Sequence, residues 1–209
     1  MHSFYEIRWY HGVVSSLIYR DFLFWRDDMN TEYEVRILEI DKDTFINKLE
    51  ELGAEKAEDF FQKRYVYDFN PAIKGKWIRL RTNGNESTLT IKNIISPLID
   101  GTKEIEIVVS DFDKCKYILN ELGYRPKGYQ ENKRTRYYLD GVEIDIDTWP
   151  IIPTYAEIEG KTEDEVMAII DKLGYNKEDI TTLDVDSIYK KYGYNENDMK
   201  ELKFEADFK

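Results

Sequence analysis

The chain has 209 residues, a formal net charge of −12 and a pI near 4.8. This acidic balance argues against nonspecific binding to DNA or RNA, which depends on a positive field that releases counterions. Cys115 is the only cysteine, so neither an intrachain disulfide nor a cysteine-based zinc site is expected. Both histidines, His2 and His11, precede every predicted strand, which argues against a nucleophile activated by histidine.

The first 30 residues differ from the rest and are predicted to be an N-terminal extension. Residues 13–25 are rich in apolar and aromatic side chains, but Arg20 and Asp21 interrupt them. The run is shorter than the roughly 18 to 20 apolar residues that a membrane-spanning helix needs, and it lacks the features of a signal peptide. Three interpretations remain open: an amphipathic surface helix, an interaction arm, or sequence upstream of a start at Met29. The last two are favoured about equally.

Eight strand-like runs follow this extension, and most are bounded by residues typical of turns. They cover residues 32–38, 64–68, 77–81, 88–92, 104–109, 134–139, 142–147 and 155–159. The sequences Asn83-Gly84-Asn85 and Asp140-Gly141 predict hairpin turns, because glycine tolerates positive φ. Strands that are joined by such turns run antiparallel.

Three helices with marked ends lie between these strands, and a shorter fourth is predicted over residues 186–192. The first helix starts after Asp41 and stops at Gly53, and the second starts after Ser110 and stops at Gly123. The third starts with the capping box at 162–165 and stops at Gly174. Their apolar stripes are Phe45, Leu49 and Leu52; Phe112, Cys115, Ile118, Leu119 and Leu122; and Val166, Ile169, Ile170 and Leu173. No linker interrupts this pattern, so one domain over 31–195 and a C-terminal tail over 196–209 are expected.

Charged and apolar residues alternate along the predicted strands. Positions two apart share a face, so the charges point one way and the apolar side chains the other. The apolar face carries Val35, Ile37, Ile78, Leu80, Ile91, Ile105, Ile107, Ile144, Ile146 and Ile158. The helical stripes need apolar surface to cover, so this face is expected to lie outside, beneath the helices. The predicted fold is α+β: an eight-stranded antiparallel β-barrel tunnel with a charged interior and helices packed on the outside.

Two pairs of glutamates mark a candidate metal site. Glu32 and Glu34 share one strand face, and Glu157 and Glu159 share another. Such clusters repel unless a cation lies among them, and carboxylate oxygens suit hard divalent ions such as Mg²⁺ and Mn²⁺. The alternative for any single strand is an ordinary solvated face.

Basic residues on the same face are candidates to bind phosphate. They are Arg36, Arg79, Arg81, Lys92, Arg134 and Arg136. Guanidinium groups bind phosphate oxygens in a bidentate manner, and several around one cavity suit a chain of phosphates. The alternative is structural ion pairing with the acidic strands. A third set is predicted to orient the basic side chains or to hold a second metal: Glu104, Glu106, Glu143, Asp145 and Asp147.

In their order along the chain, these motifs resemble the CYTH family, the triphosphate tunnel metalloenzymes, over roughly residues 31–194. The family includes class IV adenylate cyclases, thiamine triphosphatases and inorganic triphosphatases, and the likeness is greatest to chains labelled class IV adenylate cyclase. The resemblance implies that Glu32, Glu34, Arg36 and Glu159 are catalytic. The family's opening motif usually ends in lysine, whereas this chain has Arg36 at that position. Arginine cannot act as a base.

Three functional hypotheses follow from the pattern and the resemblance. The first is a Mg²⁺- or Mn²⁺-dependent enzyme that hydrolyses a phosphoanhydride bond of inorganic triphosphate or of an organic or nucleoside triphosphate. The second is a class IV adenylate cyclase that converts ATP to cyclic AMP and pyrophosphate. The third is a noncatalytic polyphosphate-binding module. The expected partner is a small triphosphate and not nucleic acid or membrane, and the protein is expected to be cytoplasmic and a monomer or homodimer.

Overall fold

The computed structural model describes residues 29–195 and 197–205, so the three interpretations of the N-terminal extension concern residues that lie outside the described part. Within that part the elements follow in the order β1 (Asn30–Ile37), α1 (Lys42–Glu51), β2 (Glu55–Ile73), β3 (Lys76–Thr82), β4 (Ser87–Ile94), β5 (Thr102–Val109), α2 (Phe112–Glu121), β6 (Gly128–Leu139), β7 (Val142–Thr148), β8 (Tyr155–Gly160), α3 (Glu163–Leu173), β9 (Ile180–Thr181), α4 (Val185–Lys191) and β10 (Glu201–Leu202).

Eight of these strands close into an antiparallel barrel. Their order is β6–β2–β3–β4–β5–β1–β8–β7, and β7 pairs back onto β6 to complete the ring. The short strand β9 pairs with β1, and β10 lies parallel to β6. The prediction of an eight-stranded antiparallel barrel with helices outside is thus confirmed.

Two strands are longer than the sequence predicts. The prediction of 64–68 for β2 is wrong in length, because the strand runs from Glu55 to Ile73, and β6 begins at Gly128 instead of residue 134. Both strands are extended because they pair with each other over a long stretch. This pairing runs from Glu55 opposite Tyr138 to Val66 opposite Gly128. The strand β10 falls within the predicted C-terminal tail, so part of that segment pairs with the barrel.

The helix ends follow the predicted start and stop signals, except that α2 is capped by Asp111 and not by the predicted Ser110. The Asp111 side chain accepts a hydrogen bond from the Lys114 N–H at 2.8 Å. The Asp41 side chain accepts a hydrogen bond from the Thr44 N–H at 2.9 Å, and Thr162 accepts one from the Glu165 N–H at 3.2 Å. Gly174 ends α3 with a φ of 84°, a conformation that glycine adopts without steric cost. No helix within residues 29–195 and 197–205 is long and apolar enough to cross a membrane.

The main hydrophobic core lies outside the barrel, between β1, β7 and β8 on one side and α1 and α3 on the other. It includes Val35, Ile37, Leu49, Ile144, Ile158, Val166 and Ile170. Because side chains alternate along each strand, burying these residues turns the polar faces of the same strands toward the lumen. The fold thereby fixes the charged face as the inner wall.

Helices do not cover the whole apolar outer surface. On β5, Ile105 is 38% exposed and Ile107 is 56% exposed. The prediction that Ile118 and Leu122 belong to the buried stripe of α2 is also wrong, because both are exposed while Leu119 is buried. The helix α2 packs on β3, and its buried apolar face is narrower than the spacing of its apolar residues predicts.

Candidate functional site

A single cavity of about 280 Å³ in the described structure collects most of the predicted site residues. Twelve of them line it: Glu32, Glu34, Arg36, Arg79, Arg81, Lys92, Glu104, Glu106, Arg134, Arg136, Glu157 and Glu159. Asp145 and Asp147 do not line the cavity but are buried behind its wall. Residues that are up to 127 positions apart in the sequence therefore share one lumen, because the barrel brings all eight strands around it.

Three carboxylates lie side by side on adjacent strands of this wall. Glu159 of β8 is paired in register with Glu34 of β1 on one side and with Glu143 of β7 on the other. Like charges directly opposite one another on neighbouring strands are destabilising. This acidic row, defined as Glu34, Glu143 and Glu159, is therefore a place where a cation would relieve repulsion. Glu143 belongs to the set that the sequence predicts to orient basic side chains or to hold a second metal, and the strand register places it beside Glu159.

Glu159 is the member of the acidic row that lacks a basic partner. It forms no ion pair with any residue in the described part of the chain, whereas Glu34 contacts Arg36 at 3.0 Å and Glu143 contacts Arg136 at 2.6 Å. Burial, followed by the charge of Glu157, raises the pKa of Glu159 to about 7. Burial also raises the pKa of Glu143 to about 7.

Arg36 and Arg134 hold Glu157 from two sides. The Arg36 guanidinium lies 2.5 Å from Glu157, and that of Arg134 lies 3.2 Å away. Burial alone would raise the pKa of Glu157, but these two cations outweigh it and lower the pKa below its usual range. Of the four predicted metal ligands, Glu157 is thus the one that the protein already neutralises most fully.

Lys92 forms ion pairs with Glu32 of β1 and Glu104 of β5. Its ammonium lies 2.8 Å from Glu32 and 3.0 Å from Glu104. Burial raises the pKa of Glu32 to about 8, although Lys92 opposes the shift. Burial opposes a raised pKa for Lys92, but the carboxylates of Glu34, Glu32 and Glu104 outweigh it, so this lysine stays charged and cannot serve as a base.

Asp145 and Asp147 fix the two arginines of β6. Arg134 contacts Asp145 at 2.5 Å and Asp147 at 2.6 Å, while Arg136 contacts Asp145 at 2.8 Å. Both aspartates are at most 2% exposed. Their geometry suits the orienting role that was one of the two predicted for them.

The opposite wall, on β2 and β3, is basic. Arg79 and Arg81 share the carboxylate of Glu106, at 3.2 Å and 3.4 Å. Arg64 of β2 also lines the cavity, directly opposite Arg81 in the strand register. Arg64 was not predicted as a site residue, because no second inward-facing charge follows it two residues away on its strand.

No metal cluster is preassembled among the residues that the structure describes: no group of three or more acidic, histidine or cysteine side chains has suitable spacing. The carboxylates of the wall point instead at arginine and lysine side chains. A divalent ion would therefore have to displace these basic side chains or share the carboxylates with them. At Glu159 no ion pair with a described residue has to be broken.

The structure therefore defines a class of protein: a closed antiparallel β-barrel with helices on the outside and a tunnel lined by both acidic and basic residues. The chain belongs to the CYTH domain family, whose sequence model matches residues 30–181. The resemblance inferred from the motifs is thereby confirmed. A search of curated protein sequences found no match to this chain.

Solved structures share this fold at low sequence identity. A conserved hypothetical protein from Pyrococcus furiosus is 21% identical with a TM-score of 0.67, covering 76% of this chain and 99% of that one. A Vibrio parahaemolyticus protein provisionally assigned as an adenylate cyclase is 16% identical with a TM-score of 0.66, covering 77% and 98%. A Hippeastrum protein provisionally assigned as an adenylyl cyclase, with a dominant triphosphatase activity, is 14% identical with a TM-score of 0.52, covering 78% and 96%.

Proposed function

We propose that this protein is a divalent-metal-dependent enzyme that hydrolyses a phosphoanhydride bond of a triphosphate inside the barrel. The proposal rests on one observation: an acidic wall and a basic wall face each other across one cavity. Glu159 lies without a cationic partner on the acidic row, and Arg79 and Arg81 share a single carboxylate on the facing wall. Membership of the CYTH family supports a triphosphate substrate and a divalent ion.

The carboxylates present fit a divalent ion. Glu32, Glu34, Glu157 and Glu159 are the proposed ligands, with Glu159 foremost because no described residue neutralises it. Carboxylate oxygens are the donors that Mg²⁺ and Mn²⁺ prefer, and a cation would relieve the repulsion between Glu159 and Glu34, which are paired in register. When bound, the ion would polarise a phosphoryl oxygen and offset developing negative charge.

The basic residues would bind and align the phosphate chain. Arg79, Arg81 and Lys92 each lie at the lumen with shared carboxylate partners, so each retains capacity for phosphate oxygens. Arg134 and Arg136 are held in fixed orientations by Asp145 and so present preorganised donors. No covalent intermediate with the protein is needed, because positioning and charge stabilisation supply most of the catalysis in phosphoryl transfer.

Arg36 contributes charge to this mechanism and not proton transfer. Two carboxylates, those of Glu157 and Glu34, raise the pKa of Arg36 even though its burial acts in the opposite direction. A guanidinium that is this firmly protonated cannot accept a proton from water. We therefore assign Arg36 to holding Glu34 and Glu157 and to binding substrate.

Product analysis of the purified protein tests the proposal. The metal-stripped protein is incubated with tripolyphosphate or ATP, with and without Mg²⁺ or Mn²⁺, and orthophosphate, pyrophosphate and cyclic AMP are resolved. Metal-dependent orthophosphate is expected. Cyclic AMP with pyrophosphate would identify a cyclase instead, and tight binding without any product would identify a binding module.

Replacing the carboxylate that lacks a partner tests the metal assignment. Glu159→Gln is expected to reduce turnover by at least about 100-fold, the scale expected when a principal charge-stabilising group is lost. Glu121→Gln, an exposed position on α2, serves as the control and should keep wild-type turnover. Full turnover in Glu159→Gln with the fold intact would overturn the assignment.

A further inference from the structure

Arg64 is a buried cation that the structure leaves without a carboxylate. Its side chain lines the tunnel, and the residue is only 6% exposed. Every other arginine that lines the cavity in the described chain forms an ion pair with an acidic residue. Arg64 forms none with any described residue, so no carboxylate in the described part of the chain balances its charge within ion-pair distance.

Neutral groups hold the Arg64 guanidinium in place. Its Nη2 donates to Gln62 Oε1 at 2.9 Å and to the Asn132 side-chain oxygen, and its Cζ lies 4.6 Å from the centre of the Trp149 ring. Its buried Nε has no hydrogen-bond partner among the described residues, and neither has the Trp149 Nε1. The group is therefore fixed in orientation while retaining an unused donor.

The surroundings of Arg64 add positive charge. Arg81 faces it directly in the pairing of β2 with β3, and like charges in that position are destabilising. Burial, followed by the charges of Arg79, Arg81 and Arg134, lowers the pKa of Arg64. A buried, unpaired cation among other cations is costly to a folded protein unless a ligand neutralises it.

We propose that Arg64, together with Arg81, forms an anion subsite in the tunnel wall that binds a phosphoryl group of the substrate polyphosphate. This inference rests on the proposed function and adds a residue to the substrate-binding set. Gln62 and Asn132 orient the guanidinium without neutralising it, as a side chain kept for an incoming anion requires. The Arg64 guanidinium borders the cavity, so its N–H groups beyond those bonded to Gln62 and Asn132 are the donors proposed for phosphoryl oxygens.

The subsite makes a prediction that separates ligand binding from a purely structural role. Arg64→Met removes the charge while keeping an unbranched apolar side chain in its place. If Arg64 exists to bind an anion, the variant without ligand should be more stable than the wild type, with a melting temperature about 3 °C higher or more. Its affinity for tripolyphosphate should fall by about 10- to 100-fold, the scale of a lost charge-assisted hydrogen bond.

The experiment measures melting temperature without ligand and tripolyphosphate affinity by calorimetry, both in metal-free buffer with the full chain. Arg125→Met is the matched control, because Arg125 is exposed, lies outside the cavity and is bonded only to backbone carbonyls. It should leave tripolyphosphate affinity at the wild-type value. Arg64→Lys keeps the charge and should recover part of the affinity lost in Arg64→Met.

The outcomes distinguish this inference from the proposed function. A wild-type protein that binds no tripolyphosphate, with or without Mn²⁺, would overturn both. Wild-type affinity in Arg64→Met would overturn the subsite alone. A melting temperature that falls in both Arg64→Met and Arg64→Lys, with affinity per folded molecule unchanged, would show that the arginine serves packing against Trp149 and would likewise overturn the subsite.

Discussion

Glu159 links the chemistry of the tunnel to the stability of the protein. Its pKa in the folded chain is about 7, against an ordinary value of 4.5, chiefly because burial disfavours its charge. At pH 5 the folded chain keeps this proton while the unfolded chain has begun to lose it. As the pH rises toward 7 and beyond, the folded state has to accommodate a buried, unpaired carboxylate, and the stabilisation by the bound proton is lost.

The free energy of unfolding of metal-free protein should therefore fall between pH 5 and pH 8, with Glu159 contributing up to about 3 kcal/mol. Urea denaturation at several pH values in the presence of a chelator measures this decrease. Glu159→Gln should make the dependence shallower, with the remainder due to Glu32 and Glu143, whose pKa values burial also raises, whereas the exposed control Glu121→Gln should keep the wild-type slope. Equal slopes in all three proteins would show that Glu159 titrates normally.

At the level of single elements, α4 connects the end of the chain to the tunnel. Its first residues, Val185 and Asp186, line the cavity, and the preceding Leu183 carbonyl accepts a hydrogen bond from Arg36 at 3.0 Å. Asp184 caps the helix by accepting from the Ser187 N–H at 2.9 Å. Because α4 has only seven residues, its cap supports a large share of its backbone hydrogen bonds.

Removing this cap should disturb substrate binding as well as stability. Asp184→Ala is expected to cost about 1 kcal/mol and to raise KM for the triphosphate several-fold, because part of the cavity wall loses its anchor. Asp41→Ala removes the equivalent cap of α1, which lies away from the cavity, and should cost similar stability without changing KM. Denaturation and steady-state kinetics give both values. Asp184→Ser retains the cap, and a raised KM in this variant would assign the effect to loss of the Asp184 side chain, which itself lines the cavity, and not to loss of the cap.

Strand alternation made most of the barrel predictable, and its exceptions have physical causes. The paired charges of β1, β3, β6 and β8 revealed their inner faces because each strand repeats a charge two residues on. The N-terminal half of β2 lacks that regularity, since residues 55–62 are mostly polar and are held in the strand by long-range pairing with β6. Propensity cannot foresee pairing between segments that are distant in sequence.

The candidate site was predictable to the same extent. Paired charges identified most of the lining, but Arg64 became visible only through the register that sets it opposite Arg81. The register also reveals that Glu143 lies beside Glu159. The ion-pair partners were also not predictable. The sequence does not reveal that Glu157 lies between two arginines, while Glu159 pairs with no basic residue in the described ranges. Such contacts depend on the stagger of neighbouring strands around the barrel.

The whole molecule combines a net charge of −12 with a proposed polyanionic ligand. Long-range electrostatics alone would repel such a ligand, so binding has to depend on contacts inside the tunnel. The cations there are well shielded, since the side chains of Arg134, Arg79 and Lys92 are 8%, 11% and 12% exposed. Buried charges are screened by dissolved salt much less than exposed ones.

Affinity for tripolyphosphate should therefore respond only weakly to ionic strength. Raising NaCl from about 0.05 M to about 0.5 M is expected to change the dissociation constant less than about threefold, because salt that weakens the tunnel contacts also screens repulsion from the acidic exterior. Calorimetric titration across this range, with potassium chloride as a check for ion-specific effects, provides the measurement. A loss of affinity by a hundredfold or more would instead assign the anion to exposed lysines and arginines, and the tunnel would no longer explain how so acidic a protein binds it.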